Sequence, residues 1–367
     1  MNIDKSEITI GIVTALPEEY YAVKAILENV EDSSESGDPS YYTMGQIRVR
    51  DNFGGGCHKV ALSIPSKMGN NGASIIASHL TRTFTEVKYL FMVGIAGGMP
   101  QHVKLGDIVV AKKIVQYDFG KREYRQFVLK GEPQLASEPL LNVHRFLEVQ
   151  KNPCPWHSHL DTIINLLNGQ NLELDFGFER PDDSENRPKV FCETIGSANM
   201  VLKNAEVRDE LSSQYGLYAV EMEASGIADA ATMQGLNFMV IRGICDYCDQ
   251  SKGDNWHGYA AAVAAAYTKA VIEVLPEIKH QKIFSGKEAG KIKIQLCQRL
   301  GNDWPDLADY LEIPAYRRNQ FLQGRECQAI WEWLEERKQL HTLKEALNVL
   351  ERQDLVELLD TRQTTSK

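Results

Sequence analysis

Two carboxylates, Glu221 and Glu223, stand just ahead of a small-residue segment, 224–234, that reads as a helix. A short apolar strand follows, Phe238-Met239-Val240-Ile241, and runs into Arg242-Gly243-Ile244-Cys245-Asp246. An acidic residue just past the C-terminal end of a buried strand is where open α/β sheets place their chemistry. On spacing alone two readings stand. One is a reaction or ligand site, and the other is an ordinary helix–strand unit with a solvated Asp at its edge.

The residue types in this stretch carry more than spacing. Val220-Glu221-Met222-Glu223-Ala224 followed by Arg242-Gly243-Ile244-Cys245-Asp246 resembles the paired signature of the nucleoside phosphorylase and nucleosidase family. The nearest branch is the methylthioadenosine/S-adenosylhomocysteine nucleosidase type. Ile10-Gly11-Ile12-Val13-Thr14-Ala15-Leu16-Pro17-Glu18-Glu19 is similar to that family's first strand and acidic turn. Gly94-Ile95-Ala96-Gly97-Gly98, with 103–111 after it, resembles its central glycine motif, and Trp256-His257-Gly258-Tyr259-Ala260-Ala261 resembles the opening of its last helix. The matches keep the family's order over 7–275, which gives them a specificity that no lone glycine loop has. The resemblance implies an α/β fold with a mixed central sheet flanked by helices.

Composition narrows the class of partner. The chain of 367 residues has room for a large domain and a small one, and no apolar run reaches the length of a membrane span. The first residues, MNIDKSEITI, lack the basic-then-apolar layout of a signal peptide, so a cytoplasmic protein is expected. Seven scattered cysteines do not suggest a disulfide framework. Residues 281–367 carry 14 basic and 14 acidic side chains, so the whole net charge of −10 falls on the first 280. An acidic first domain argues against nucleic acid as partner.

Along the chain, 7–15 reads as a buried strand and Pro17-Glu18-Glu19 as a helix start, with acids against the positive end of the dipole. From the residues alone Glu18 and Glu19 are capping groups; the resemblance makes Glu19 the residue that activates the attacking water. Segment 32–40 reads as a surface loop, and 41–63 as strands around the Gly54-Gly55-Gly56 turn. The turn at Gly69, ahead of a helix over 73–81, suits either an anion on free backbone N–H groups or a tight strand-to-helix crossing. Glycines such as Gly97 would let the backbone approach a ribose or base. Ile95 stands where the family commonly has a hydroxyl that contacts phosphate in phosphorylases, and no Gly-Asp-Pro-x-Arg stretch appears near the N-terminus. Both departures favour water over phosphate as nucleophile. A strand is expected over 105–112. Residues 116–130 read as a solvated hairpin or as a lid whose Lys121, Arg122 and Arg125 meet phosphates. Helices are expected over 137–151 and 157–168, and 172–188 as a polar loop. Segment 191–203 resembles the family's base-binding segment, where Val201 and Leu202 would flank the base. His157 and His159 near Cys154 give no zinc spacing, and Cys245-x-x-Cys248 reads as two buried thiols. An Ala-rich helix is expected over 256–275.

The domains are expected at 1–280 and 291–367, joined by a polar linker over 281–290. Beyond the linker, periodicity predicts short helices near 288–300, 303–311, 314–322, 325–339, 342–351 and 353–360. Asp303-Trp304-Pro305-Asp306-Leu307-Ala308-Asp309-Tyr310-Leu311, Ile330-Trp331-Glu332-Trp333-Leu334 and the ending, 343–347 with 354–359, resemble the six-helix death-like superfamily. The nearest form is the adaptor module that bacteria attach to defence effectors; a generic helical bundle is the plain alternative. It would bind a like module on a partner protein or another copy.

The chemistry that the resemblance implies sets the roles. Cleaving a purine N-glycosidic bond needs an acid near the base, and Asp246 is the candidate, its pKa raised by burial. Glu223 would accept hydrogen bonds from ribose hydroxyls, Met222 would pack against the sugar, and Glu221 would be structural. No metal and no cofactor is expected. Three functions compete. The first is an adenine nucleosidase effector favouring ATP or dATP, a homo-oligomer built as a dimer or trimer of dimers. The second is a housekeeping methylthioadenosine nucleosidase or purine nucleoside phosphorylase. The third is a non-catalytic nucleotide-binding scaffold.

Overall fold

The computed structural model describes residues 3–34, 37–124, 127–150, 155–170, 172, 177–182, 187–250, 253–276, 286–337, 339–340 and 342–360. Two compact units are present, Met1–Ile278 and Lys279–Lys367. The first has strands β1 (Ile8–Val13), β2 (Glu28–Ser34), β3 (Tyr41–Arg48), β4 (Cys57–Ser63), β5 (Tyr89–Gly98) and β6 (Ile108–Gln116). It continues with β7 (Gly120–Arg122), β8 (Phe127–Leu129), β9 (Gln134–Leu135), β10 (Val190–Ser197), β11 (Leu217–Glu221) and β12 (Asn237–Asp246). Its helices are α1 (Pro17–Lys24), α2 (Asn70–Thr83), α3 (Glu138–Val149), α4 (Pro155–Asn168), α5 (Ala205–Tyr215), α6 (Ala224–Met233) and α7 (His257–Glu273).

Ten of these strands form one mixed sheet in the order β11-β10-β6-β12-β5-β1-β4-β3-β2, with β9 beside β6. Its middle is buried on both faces, so β5 and β12 read as continuous apolar runs. Alternation along β5 sends Phe91 and Val93 to the face covered by α1, α4 and α7, and Leu90 and Met92 to the face covered by α2 and α6. Strand β11 also pairs antiparallel with β5, which closes β11-β10-β6-β12-β5 into a ring. The closure places the C-terminal ends of four strands together. Ser197 pairs with Glu221, Val220 with Gly97, and Asp246 with Gly97.

Two segments depart from expectation. Residues 32–34, expected in a loop, belong to edge strand β2, which pairs with β3. Its polar side chains are largely exposed, so no apolar alternation announces it. Strand β6 begins at Ile108 rather than 105, because Gly106 turns the chain at a φ of +83°. The expected hairpin forms from β7 and β8, whose register pairs Lys121 with Val128. Arg125, parts of the 172–188 loop and residues 281–285 of the expected linker lie outside the described residues.

The second unit has α8 (Gly286–Leu300), α9 (Trp304–Tyr310), α10 (Ala315–Arg318), α11 (Glu326–Glu336), α12 (Thr342–Val349) and α13 (Gln353–Asp360). Helix α8 thus begins inside the segment expected to be linker. Pro305 falls in the first turn of α9 and Pro314 caps α10, where a missing N–H costs nothing. Leu296, Leu300, Leu307, Ile330, Trp331, Leu334, Leu347 and Leu355 form its core. Among the described residues no helix is long and apolar enough to cross a membrane.

Candidate active site

At the gathered strand ends lies a cavity of about 310 Å³. Glu19, Ile95, Gly97, Val201, Leu202, Met222, Glu223 and Asp246, all expected at a site, line it. Gly69 and Arg122 do not. Arg122 lies on the exposed strand β7, and Lys121 beside it pairs with Glu123 at 3.0 Å. Gly69 contributes from behind the wall: its N–H donates to Glu223 Oε1 at 2.9 Å. The anion at this helix N-terminus is therefore the protein's own carboxylate.

One wall is a charge cluster around Arg242, which is fully buried on β12. Its Nη2 donates to Glu221 Oε2 and, at 3.1 Å, to Glu223 Oε2, while Nη1 lies 3.7 Å from Glu19 Oε1. Glu221 Oε2 also accepts the N–H groups of Glu223 at 3.0 Å and Ala224 at 2.8 Å, tying the cluster to the first turn of α6. Glu19 Oε2 accepts from Ala15 at 2.6 Å and Leu16 at 3.0 Å, and its Oε1 accepts from Ile95 at 2.8 Å. Burial outweighs these donors and the guanidinium, and with Glu223 nearby it pushes Glu19 up to about 7. Burial also raises Glu223; Arg242 opposes the shift and Glu221 adds to it. Arg242 itself, which burial alone would lower, is raised by its three carboxylates.

Asp246 lines the same cavity, buried at the end of β12. Its Oδ1 accepts from Cys248 N–H at 2.7 Å, and its Oδ2 accepts from Cys245 Sγ at 3.1 Å. Both cysteines are buried. The glycine motif makes room for these groups. A Cβ at Gly94 would meet Glu19 Oε1 at 2.3 Å and Arg242 Nη1 at 2.4 Å, and one at Gly97 would meet Cys248 Sγ at 2.1 Å. The glycines thus admit the protein's own side chains to the strand ends.

The mouth is apolar: Met68, Met200 and Val201 are exposed there, with Lys203 beside them. His257, at the start of α7, also lines the cavity and donates from Nδ1 to Glu18 Oε1 at 3.0 Å. Cys245, Asp246 and His257 each place one ligand atom within 4.8 Å of the others. Sequence reasoning quoted Arg242 and His257 inside motifs without a role; an Arg closing an apolar strand, with two Glu residues upstream, was the available signal.

A mixed sheet with helices on both faces, and a carboxylate-rich cavity at its strand ends, make up a nucleoside phosphorylase-like fold. Residues 9–278 match the model of the Phosphorylase superfamily, and the chain belongs to that family. Residues 290–362 match Bacterial Death-like domain 3. The chain is 32% identical over 304 residues to a nucleotide-binding leucine-rich repeat (NLR)-like protein of Hyaloscypha variabilis, covering 73% of this chain and 29% of that protein. It is 26% identical over 270 residues to ATP nucleosidase Cap17 of Escherichia coli, covering 70% of this chain and 49% of that one. It thus spans less than half the length of either. A 5'-methylthioadenosine/S-adenosylhomocysteine nucleosidase of Mycobacterium bovis is 23% identical over 272 residues, covering 73% of this chain and 97% of its own. Among solved structures, futalosine hydrolase of Helicobacter pylori has the same fold, with a TM-score of 0.55 and 19% identity over 74% of this chain and 100% of its own.

Proposed function

We propose that this chain hydrolyses the N-glycosidic bond of an adenine nucleoside or nucleotide, with ATP or dATP favoured. The observation that carries the reading is that Asp246, Glu19 and Glu223 line one cavity, with Arg242 bonded to Glu223 and close to Glu19 behind them. Asp246 gives a proton to N7 of the departing purine. Glu223 accepts from the ribose hydroxyls and faces the positive charge that develops on the sugar. Arg242 and the Gly69 N–H hold that carboxylate in place. Glu19, at a pKa of about 7, takes the proton of the attacking water. Met222 packs against the sugar, and Val201 and Leu202 against the base. Water rather than phosphate is the nucleophile, since an apolar Ile95 side chain lines the cavity where phosphorolysis would want a hydroxyl.

The likeness to a protein named ATP nucleosidase supports the nucleotide preference, and Lys203 at the mouth offers a cation for a phosphate. The death-like match and the NLR-like relative support a role as a defence effector, recruited through residues 290–362 by a like module. In this reading the active form is a homo-oligomer. A second reading has its own observation. Met68, Met200 and Val201 at the mouth suit a 5′-methylthio group. The test is adenine release from ATP, dATP and methylthioadenosine, each with and without phosphate. Release from ATP without phosphate, with KM raised in Lys203→Ala, supports the first reading. Release from methylthioadenosine alone establishes the second, and a sugar 1-phosphate product excludes hydrolysis.

A further inference from the structure

Cys245 and Asp246 are adjacent on a strand, so a regular β12 would send their side chains to opposite faces. The register against β5 shifts between Ile244 and Asp246. Such a bulge re-aims side chains at the rim of a sheet. Here it sets Cys245 Sγ 3.1 Å from Asp246 Oδ2, both on the cavity wall. The imidazole of His257 comes to the same place from a different element, the first turn of α7. One ligand atom from each of the three lies within 4.8 Å of the others.

We propose that Cys245, Asp246 and His257 form a binding site for a thiophilic divalent cation, Zn²⁺ foremost, and that its occupancy switches off the reaction by taking Asp246 as a ligand. The inhibitory part rests on the function proposed above; the site itself does not. One sulfur, one nitrogen and one oxygen donor suit Zn²⁺ and disfavour Mg²⁺ or Ca²⁺. Tetrahedral Zn²⁺ with bonds of about 2.0–2.3 Å holds its donors roughly 3.3–3.8 Å apart, so rotations closing about 1 Å complete the set. Glu18 stands behind His257, accepting from Nδ1 at 3.0 Å. That is the carboxylate–histidine arrangement that orients a metal-bound imidazole through its other nitrogen. Asp254 Oδ1, on an exposed side chain 3.4 Å from Nε2, is the group that the cation would displace. Charge balances: binding transfers the Cys245 thiol proton to solvent, and thiolate, carboxylate and neutral imidazole together cancel the two positive charges. A buried site that ends neutral avoids the cost of an uncompensated ion. The fourth position faces the cavity and takes a water.

The experiment uses the full chain stripped with EDTA. Zn²⁺ is titrated against a chromophoric chelator, and Co²⁺ is followed by its absorption. Wild type is expected to take one equivalent that Cys245→Ser and His257→Gln, on two different elements, each weaken by at least about 10-fold. Glu18→Gln is expected to weaken it by about 10-fold through the second shell. A thiolate-to-cobalt charge-transfer band present in wild type should vanish in Cys245→Ser. Zn²⁺ should slow adenine release at least about 10-fold in wild type, reversed by EDTA, and far less in either ligand variant. Unchanged affinity and band in Cys245→Ser overturn the site. Zn²⁺ bound through Cys245 with no loss of rate overturns the inhibition. If the cation binds through these residues while no substrate releases base with or without EDTA, the site stands and the nucleosidase reading falls.

Discussion

The α/β unit buries Glu18, Glu19, Asp107, Arg208, Glu221, Glu223, Arg242 and Asp246, whereas the described residues of the helical unit include no buried charged side chain. The helical unit's ion pairs, such as Arg299 with Asp354 and Lys293 with Glu332, are partly or well exposed. Burying a charge is costly unless other groups compensate it, and structures keep such charges where they are used. The contrast therefore makes the first unit the place for the proposed chemistry. It leaves the second with an apolar core whose specificity has to reside on its surface.

The strongest way to break this contrast is to disable one unit and read the other. Asp246→Asn should lower adenine release about 10²–10⁴-fold with the fold intact, since an amide donates no acidic proton. Trp331→Ala, at the largest fully buried side chain, should destabilise the helical unit by about 3–5 kcal/mol and leave the rate per folded molecule unchanged. Steady-state kinetics and circular dichroism on both variants decide the point. A Trp331→Ala protein that is folded yet inactive would show that the two units do not divide the work.

Charge removal sharpens the same comparison. Arg242→Met leaves Glu221 and Glu223 buried without their guanidinium and should cost about 3–5 kcal/mol in urea denaturation. Arg352→Met removes bonds to Asp354 and to the Leu300 carbonyl from a partly exposed site and should cost on the order of 1 kcal/mol. Equal costs would erase the distinction between the two kinds of charge.

A pH slope isolates one member of the buried cluster. Glu19 rises from 4.5 to about 7 on folding, so the folded state holds this proton more tightly than the unfolded chain does. Its contribution to stability is complete below pH 4.5 and is lost as pH climbs through about 7, a decline on the order of 3 kcal/mol. Activity has the opposite sign, because the base has to be ionised, and it should rise over the same range. Denaturation at pH 5 and pH 8 should show the decline in wild type and not in Glu19→Gln.

Much of the site was legible because the family's motifs are contiguous runs of residues. Glu19, Glu223 and Asp246 could be picked out from the residues beside them. Arg242 could not be given a role, since its burial depends on β12 lying between β5 and β6, a long-range pairing that no local pattern states. Arg122 lies on an exposed hairpin outside the cavity lining, and a run of cations reads the same in sequence on a lid and on such a hairpin. Edge strand β2 escaped because neither face of it is buried in the alternating way that period-two reasoning detects. The helices of the second unit were readable in order, since 3.6-residue periodicity is local and five of the six have one face in the core; α10 buries no residue and is shorter than the 314–322 expected.

Gly94 and Gly97 also constrain the sequence of steps by which a lineage could remodel this cavity. Any side chain at 97 collides with Cys248 Sγ, and any at 94 collides with Glu19 and Arg242. Neighbours in contact have non-additive effects, so the order of two changes matters. Position 248 has to shrink before position 97 can grow, whereas position 94 can grow only after the charge cluster itself has been dismantled. Growth at position 97 thus follows an ordered path, with Asp246 Oδ1 a further neighbour 3.0 Å from an added Cβ, while position 94 has no such path.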